Sequence, residues 1–172
     1  MQKVVLVGYM GSGKSLIGKL LSEKMSLIFL DLDQIIEQEE NRTIKNIFET
    51  NGEIYFRKKE HQTFKHLLET ENSFVLSLGG GTPCYANNHE LLRNDNVISI
   101  YLSASIKTLY DRLILEKFKR PIIANKNQDE LEEFIAKHLF DRNFYYNQCK
   151  YKINVNNKSA EEIVLEIQKL LT

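Results

Sequence analysis

The run Gly8-Tyr9-Met10-Gly11-Ser12-Gly13-Lys14-Ser15 follows a short apolar stretch and precedes a helical pattern. Residue types at this spacing suit one chemistry, the cradling of nucleotide phosphates. Glycines let backbone N–H groups turn inward around phosphate oxygens, where side chains would obstruct them. The helix that begins near Lys14 adds its positive dipole end. Lys14 is expected to reach the β- and γ-phosphates, and the Ser15 hydroxyl to ligate Mg²⁺. Gly11, Ser12, Gly13 and Leu16 complete the nucleotide-facing run. Such a loop leaves open a kinase, a GTPase or a motor. A guanine-specific protein would carry Asn-Lys-x-Asp, and Asn125-Lys126-Asn127-Gln128-Asp129 misses it by one residue. That segment reads better as a polar loop from which Asp129 enters the next helix.

Asp31-Leu32-Asp33 closes a second apolar run. Two residues apart on an extended chain, both carboxylates can face the same side. One can hold Mg²⁺ through its water shell, and the other can contact and help deprotonate a substrate hydroxyl. Asp33 can equally be a plain helix cap. A third apolar run, Phe74–Leu78, leads into Gly79-Gly80-Gly81-Thr82-Pro83. Three glycines at a strand's carboxyl end permit close approach to a ligand, although a loose turn would look the same. Arg57 lies four residues from Glu53 and three from Glu60, so it reads either as a surface pair or as an anion-binding group. Arg142 is open in the same way. Arg120-Pro121 sits in the polar, basic stretch 116–125, which suits a closing lid that carries a cation over the phosphates, or an exposed loop.

The elements that must position these residues alternate. Strands are expected at Lys3–Val7, Leu27–Asp31, Phe74–Leu78, Val97–Leu102 and Tyr151–Val155, most of them nearly continuous in apolar character. Helices are expected at Lys14–Met25, Asp33–Glu40, Thr43–Thr50, Glu53–Glu71, Asn87–Asn94, Ser105–Leu115, Asp129–Tyr146 and Ser159–Leu171. The last places Ile163, Val164, Ile167, Leu170 and Leu171 on one face, with Ser159 and Glu162 spaced as a capping box. Alternation of this kind implies an α/β fold with a parallel sheet and helices on both faces. Ligands bind beyond the carboxyl ends of such strands, where the motifs converge.

The 172 residues fit one domain, and no repeat or linker divides them. Lys plus Arg and Asp plus Glu both number 23, so no overall field recruits nucleic acid or a membrane surface. The apolar run Val4–Val7 is too short for a signal-peptide core or a membrane span. Cys84 and Cys149 show no metal spacing and read as reduced thiols, so a cytoplasmic location is expected.

Taken in order, these motifs resemble shikimate kinase. The resemblance runs from the first strand to about Tyr145. It rests on 8–15, Asp-x-Asp at 31–33, the Ile44-x-x-Ile47-Phe48 to Phe56-Arg57-x-x-Glu60 stretch, Leu78-Gly-Gly-Gly-Thr82, Arg120-Pro121 and Arg142-x-x-Tyr145. It implies a P-loop NTPase-type, nucleoside-monophosphate-kinase-like fold with a five-stranded parallel sheet. One kinase domain would span 1–172, with a substrate-binding helical region at about 33–61 and a lid at about 116–126. The implied reaction transfers the ATP γ-phosphoryl group to the 3-hydroxyl of shikimate, with Mg²⁺ bound to ATP. Ser15 and Asp31 would serve the metal. Lys14, Asp33 and Arg120 would be catalytic, Asp33 also holding the ring hydroxyls. Arg57 and Arg142 would clamp the carboxylate, Gly79, Gly80 and Gly81 would touch shikimate, Phe48 and Phe56 would wall the ring, and Arg112 would pack on adenine. The protein would act as a monomer. Gluconate kinase shares the P-loop and a carboxylated polyol substrate, and motif order separates the two. A non-catalytic nucleotide-binding module would have no need of Lys14, Asp33 or the lid cation, and all three are present.

Overall fold

A computed structural model describes residues 2–120 and 122–171. Five parallel strands form one sheet in the order β2-β3-β1-β4-β5. They are β1 (Lys3–Val7), β2 (Ile28–Asp31), β3 (Phe74–Ser77), β4 (Val97–Ser103) and β5 (Tyr151–Asn154). β1 lies at the centre, with Lys3 in register with Phe74 on one side and Val97 on the other. Its valines and Leu6 are buried on both faces, which is why the run is continuously apolar. The edge strands are more exposed, and β5 buries only Ile153.

Helices α1 (Lys14–Met25), α2 (Leu32–Glu40), α3 (Ile44–Glu69), α4 (Asn88–Leu91), α5 (Ile106–Glu116), α6 (Gln128–Tyr146) and α7 (Ala160–Leu171) connect the strands. Two departures from the expected elements matter, and one expected break is found. α2 begins at Leu32, with Asp31 as its cap accepting from the Gln34 N–H at 3.2 Å. Asp33 therefore stands in the first helical turn, and the two acids do not share an extended strand. The two helices expected at 43–50 and 53–71 meet within α3 at a kink, where Gly52 leaves the helical conformation with φ 83° and ψ 172°. The helix expected at 87–94 is only four residues long, and it starts after Ala86 and Asn87, which turn the chain through left-handed conformations (φ 50° and 56°).

α6 starts from a capping box of Asn127 and Glu130, with Asp129 in its first turn as the sequence suggested. Ser159 and Glu162 cap α7 in the same reciprocal way. Ile163, Val164 and Ile167 of α7 are buried, whereas Leu170 is 40% exposed and leaves the expected face. Both cysteines are free thiols. Among the described residues no helix is long and apolar enough to cross a membrane.

Candidate active site

The loop between β1 and α1 is shaped by its glycines for two different reasons. Gly11 and Gly13 take φ 83° and 96°, which side chains rarely tolerate. Gly8 lacks space instead: a Cβ there would lie 2.6 Å from the Ser12 hydroxyl and 2.9 Å from the Leu102 carbonyl. Ser12 is buried, and its hydroxyl has no hydrogen-bond partner among the described residues. An orphaned donor of this kind at the mouth of a helix suits a phosphate oxygen.

Lys14 folds back on the loop, donating to the Gly8 carbonyl at 2.6 Å and the Tyr9 carbonyl at 3.1 Å. Burial pushes its ammonium down to about 8; Asp33 and Asp31 oppose that fall, and Arg120 and Arg142 add to it. A desolvated cation with only carbonyl partners is ready to accept anionic oxygens. Ser15 Oγ donates to Asp31 Oδ2 across 3.5 Å.

These groups line a cleft of about 610 Å³ at the carboxyl ends of β1, β2 and β3. Gly11, Ser12, Gly13, Lys14, Ser15, Leu16, Asp31, Asp33, Gly79, Gly80, Arg112 and Arg120 all reach it, as expected from the sequence. Arg112 donates to the Gly11 carbonyl at 3.0 Å. Arg120 is parked on Glu116, with Nε and Nη2 at 3.1 and 2.8 Å from Oε2. Pro121, its expected partner in the motif, lies outside the described residues. The segment is not a free loop, because Ile123 anchors it in the core, fully buried. Lys158, Ala160 and Ile163 also line this cleft. Sequence reasoning missed them because nothing local marks the start of α7 and the residues before it, so far from the glycines, as part of the same wall.

The remaining expected residues gather around Gly79–Gly81. A Cβ on Gly79 would lie 3.1 Å from Asp33 Oδ1, one on Gly80 3.3 Å from Arg142 Nη1, and one on Gly81 2.8 Å from Arg57 Nη2. None of the three glycines takes a positive φ. The triplet is there to make room: each missing side chain leaves space for one charged group. Burial lifts the Asp33 carboxyl to about 6, with Asp31 and Glu60 adding to the rise and Lys14 and Arg57 opposing it.

Arg57 is not an ordinary surface pair. Its Nη1 donates at 2.8 Å to Glu60, a carboxylate only 1% exposed, whose other oxygen accepts from Thr82 at 2.7 Å. Its Nε stands 3.6 Å from Glu53, within ion-pair range but without a hydrogen bond. One nitrogen of the guanidinium is thus tied down and Nε is buried beside Glu53, so the nitrogen turned toward the glycine turn is Nη2, next to Gly81. Arg142 lies over the Tyr9 ring at 5.6 Å, and Tyr9 donates to or accepts from His138 at 2.9 Å. Tyr146 donates to the Gly80 carbonyl at 2.6 Å, holding the glycine turn against α6. Arg57, Arg142 and Gly81 flank the main cleft without lining it. Phe48 and Phe56 stack on each other 4.7 Å apart and also lie outside its lining. The sequence shows Glu60 as a possible pair for Arg57 and as the end of the Phe56-Arg57-x-x-Glu60 motif; the hydrogen bond it accepts from Thr82, on another element, cannot be read there.

The residues present fit a phosphate-borne Mg²⁺. No group of three His, Cys, Asp or Glu side chains forms a metal cage among the described residues. A hydroxyl and one carboxylate beside a phosphate loop are the usual provision for an ion carried by a nucleotide.

Comparisons with known proteins point to one family. A family model described as shikimate kinase matches residues 10–172. The shikimate kinase of Flavobacterium psychrophilum is 59% identical over 171 residues, covering 99% of both chains. The crystal structure of shikimate kinase from Bacteroides thetaiotaomicron superposes with a TM-score of 0.91 at 35% identity, covering 99% of this chain and 98% of that one. A shikimate kinase from Acinetobacter baumannii, solved in complex with shikimate, gives a TM-score of 0.87 at 31% identity, covering 99% and 93%.

Proposed function

The chain belongs to the shikimate kinase family, and we propose from that premise how its residues divide the transfer of the ATP γ-phosphoryl group to the 3-hydroxyl of shikimate. The observation that carries the reading is the order of charges along the glycine turn. A carboxylate stands at Gly79 and two guanidiniums at Gly80 and Gly81, beside the loop that holds Lys14. A substrate with hydroxyls at one end and a carboxylate at the other matches that order.

In this reading the nucleotide phosphates take the loop N–H groups and the Ser12 hydroxyl. Lys14 exchanges its two carbonyl partners for the β- and γ-oxygens, which restores the charge that burial disfavours. Arg57 and Arg142 hold the carboxylate, their planar forks fixing the ring's orientation. Asp33 accepts a hydrogen bond from the 3-hydroxyl. With its carboxyl near 6, it is mostly ionised at neutral pH yet basic enough to take the proton as the new O–P bond forms. The bond from the γ-phosphorus to its bridging oxygen breaks, and ADP leaves. Arg120 leaves Glu116 as the segment 116–126 closes and meets the charge on the transferring group. Ser15 and, through water, Asp31 would hold Mg²⁺, which would neutralise phosphate charge. α2 and the front of α3, about 33–61, supply the acceptor side of a single kinase domain. Phe48 and Phe56 would wall the ring and Arg112 would meet the adenine. Balanced charge and free thiols accord with a cytosolic enzyme that works as a monomer and binds neither nucleic acid nor membrane.

The test is ADP release with Mg-ATP and shikimate, gluconate or quinate as the acceptor. Only shikimate should sustain turnover. Faster turnover of gluconate would sink the acceptor assignment while sparing the kinase.

A further inference from the structure

We infer that Tyr85 is a positioning residue for the reaction: its ring holds the Arg57 guanidinium in the plane in which it meets the acceptor's carboxylate. This rests on the reading of Arg57 as a carboxylate ligand. The guanidinium carbon lies 3.9 Å from the centre of the Tyr85 ring, closer than its 5.1 Å approach to Phe56. A cation at that distance over an aromatic face is both attracted to it and confined against it.

The chain is arranged to put Tyr85 there. Immediately after it, Ala86 and Asn87 adopt left-handed conformations (φ 50° and 56°), which an alanine rarely takes. Strain of that kind persists only where the surroundings hold it, and Asn88 does so. Asn88 is fully buried, donates to the Thr82 carbonyl at 2.9 Å and shares a 2.7 Å hydrogen bond with His61, one helical turn beyond Arg57. Thr82 in turn bonds Glu60, and Glu60 bonds Arg57. The loop 82–88 and the helix that carries Arg57 are therefore cross-tied on both sides of the stack.

The division of labour follows. Glu60 fixes one nitrogen of the guanidinium, while the Tyr85 ring fixes its plane. Together they leave Nη2, beside Gly81, pointed rather than free to sweep. A fork ordered in advance loses less freedom when the carboxylate binds, so the benefit should appear in shikimate affinity.

The experiment is steady-state kinetics of the full chain with Mg-ATP and shikimate, alongside calorimetric titration with each substrate and a thermal melt. Tyr85→Leu keeps apolar bulk and removes the aromatic face. It should raise the KM for shikimate about three- to thirty-fold, leaving kcat and ATP affinity within about twofold. Tyr85→Phe keeps the face and should restore most of the affinity. In an Arg57→Ala background, Tyr85→Leu should weaken shikimate no further. The inference is overturned if the Leu and Phe variants have the same KM. It is also overturned if Tyr85→Leu weakens ATP as much as shikimate, which would mark a merely structural role. Loss of affinity in Arg57→Ala with none in Tyr85→Leu would remove Tyr85 alone. Normal shikimate binding by Arg57→Ala would remove the carboxylate reading, and this inference with it.

Discussion

Asp33→Asn should make the protein more stable while disabling it. The Asp33 carboxyl sits at about 6 instead of its ordinary 3.8, chiefly because it is buried, with Asp31 and Glu60 adding to the effect. Between those two values the native state keeps a proton that the unfolded chain has released. Stability therefore falls as pH rises through that window and stays lower above it. Roughly two pKa units at 1.36 kcal/mol each set an upper bound of about 3 kcal/mol at neutral pH. The side chain is only partly exposed, so about 1–3 kcal/mol should be realised. Asparagine has nearly the same shape and carries no charge, so it removes the penalty. For a chain of this length that corresponds to a rise in Tm of about 2–10 °C. Melts of both proteins at pH 8 and pH 4 provide the test, because at pH 4 the native wild type is already protonated and the advantage should shrink to a small fraction. Turnover at neutral pH should fall by about 10²–10⁴-fold, since an amide cannot take the acceptor's proton. For the same reason, wild-type activity should decline as pH drops below about 6. Equal stabilisation at both pH values, or destabilisation at pH 8, would refute the premise that burial holds this carboxyl high.

Three further outcomes follow from the same geometry. Lys14→Ala should abolish ADP release, and residual activity within about tenfold of wild type, less than about 1.4 kcal/mol in barrier, would contradict its assignment to the phosphates. Arg120→Ala should lower kcat by about 10³-fold or more while the KM for shikimate stays within about threefold, because this side chain rests on Glu116 and, in the proposed mechanism, reaches the phosphoryl group only on closure; the reverse pattern would make it a ground-state ligand. Gly81→Ala suits the backbone at φ −90° but sets a Cβ 2.8 Å from Arg57 Nη2, so the guanidinium must move. Calorimetry should then show shikimate affinity down at least about tenfold with ATP affinity unchanged, and normal shikimate binding would mean that Arg57 does not act from its present position.

What could be read from the sequence divides by the range of the interaction behind it. The phosphate loop was legible because its glycines answer a local demand: two of them need a positive φ, and the strand-to-helix setting is written beside them. The sheet was legible for a similar reason, since a strand buried on both faces must be apolar throughout. Asp31 and Asp33 were placed correctly in the cleft by an argument whose premise fails. The chain turns helical at Leu32, and the two acids reach the cleft from a strand end and a helix turn rather than from one extended face. The break between the helices at 43–50 and 53–71 is legible too, because Gly52 takes a backbone conformation outside the helical region. The surface-pair reading of Arg57 could be resolved only in three dimensions, because Glu60 is buried and accepts a hydrogen bond from Thr82, a contact no spacing within α3 announces.

The glycine triplet shows most clearly why the acceptor side is harder to read than the nucleotide side. In a sequence, Gly79-Gly80-Gly81 suggests backbone freedom, yet none of the three uses a conformation closed to other residues. Their requirement is negative: space for Asp33, Arg142 and Arg57, which arrive from three different helices. A local conformational need leaves its signature at the residue that has it. A need for room is set by side chains dozens of residues away and looks like a loose turn until they are in place. The nucleotide half of the site is built from contiguous backbone, so its pattern is compact. The acceptor half is built from side chains converging on a void, and its specificity resides in which charged groups the void admits.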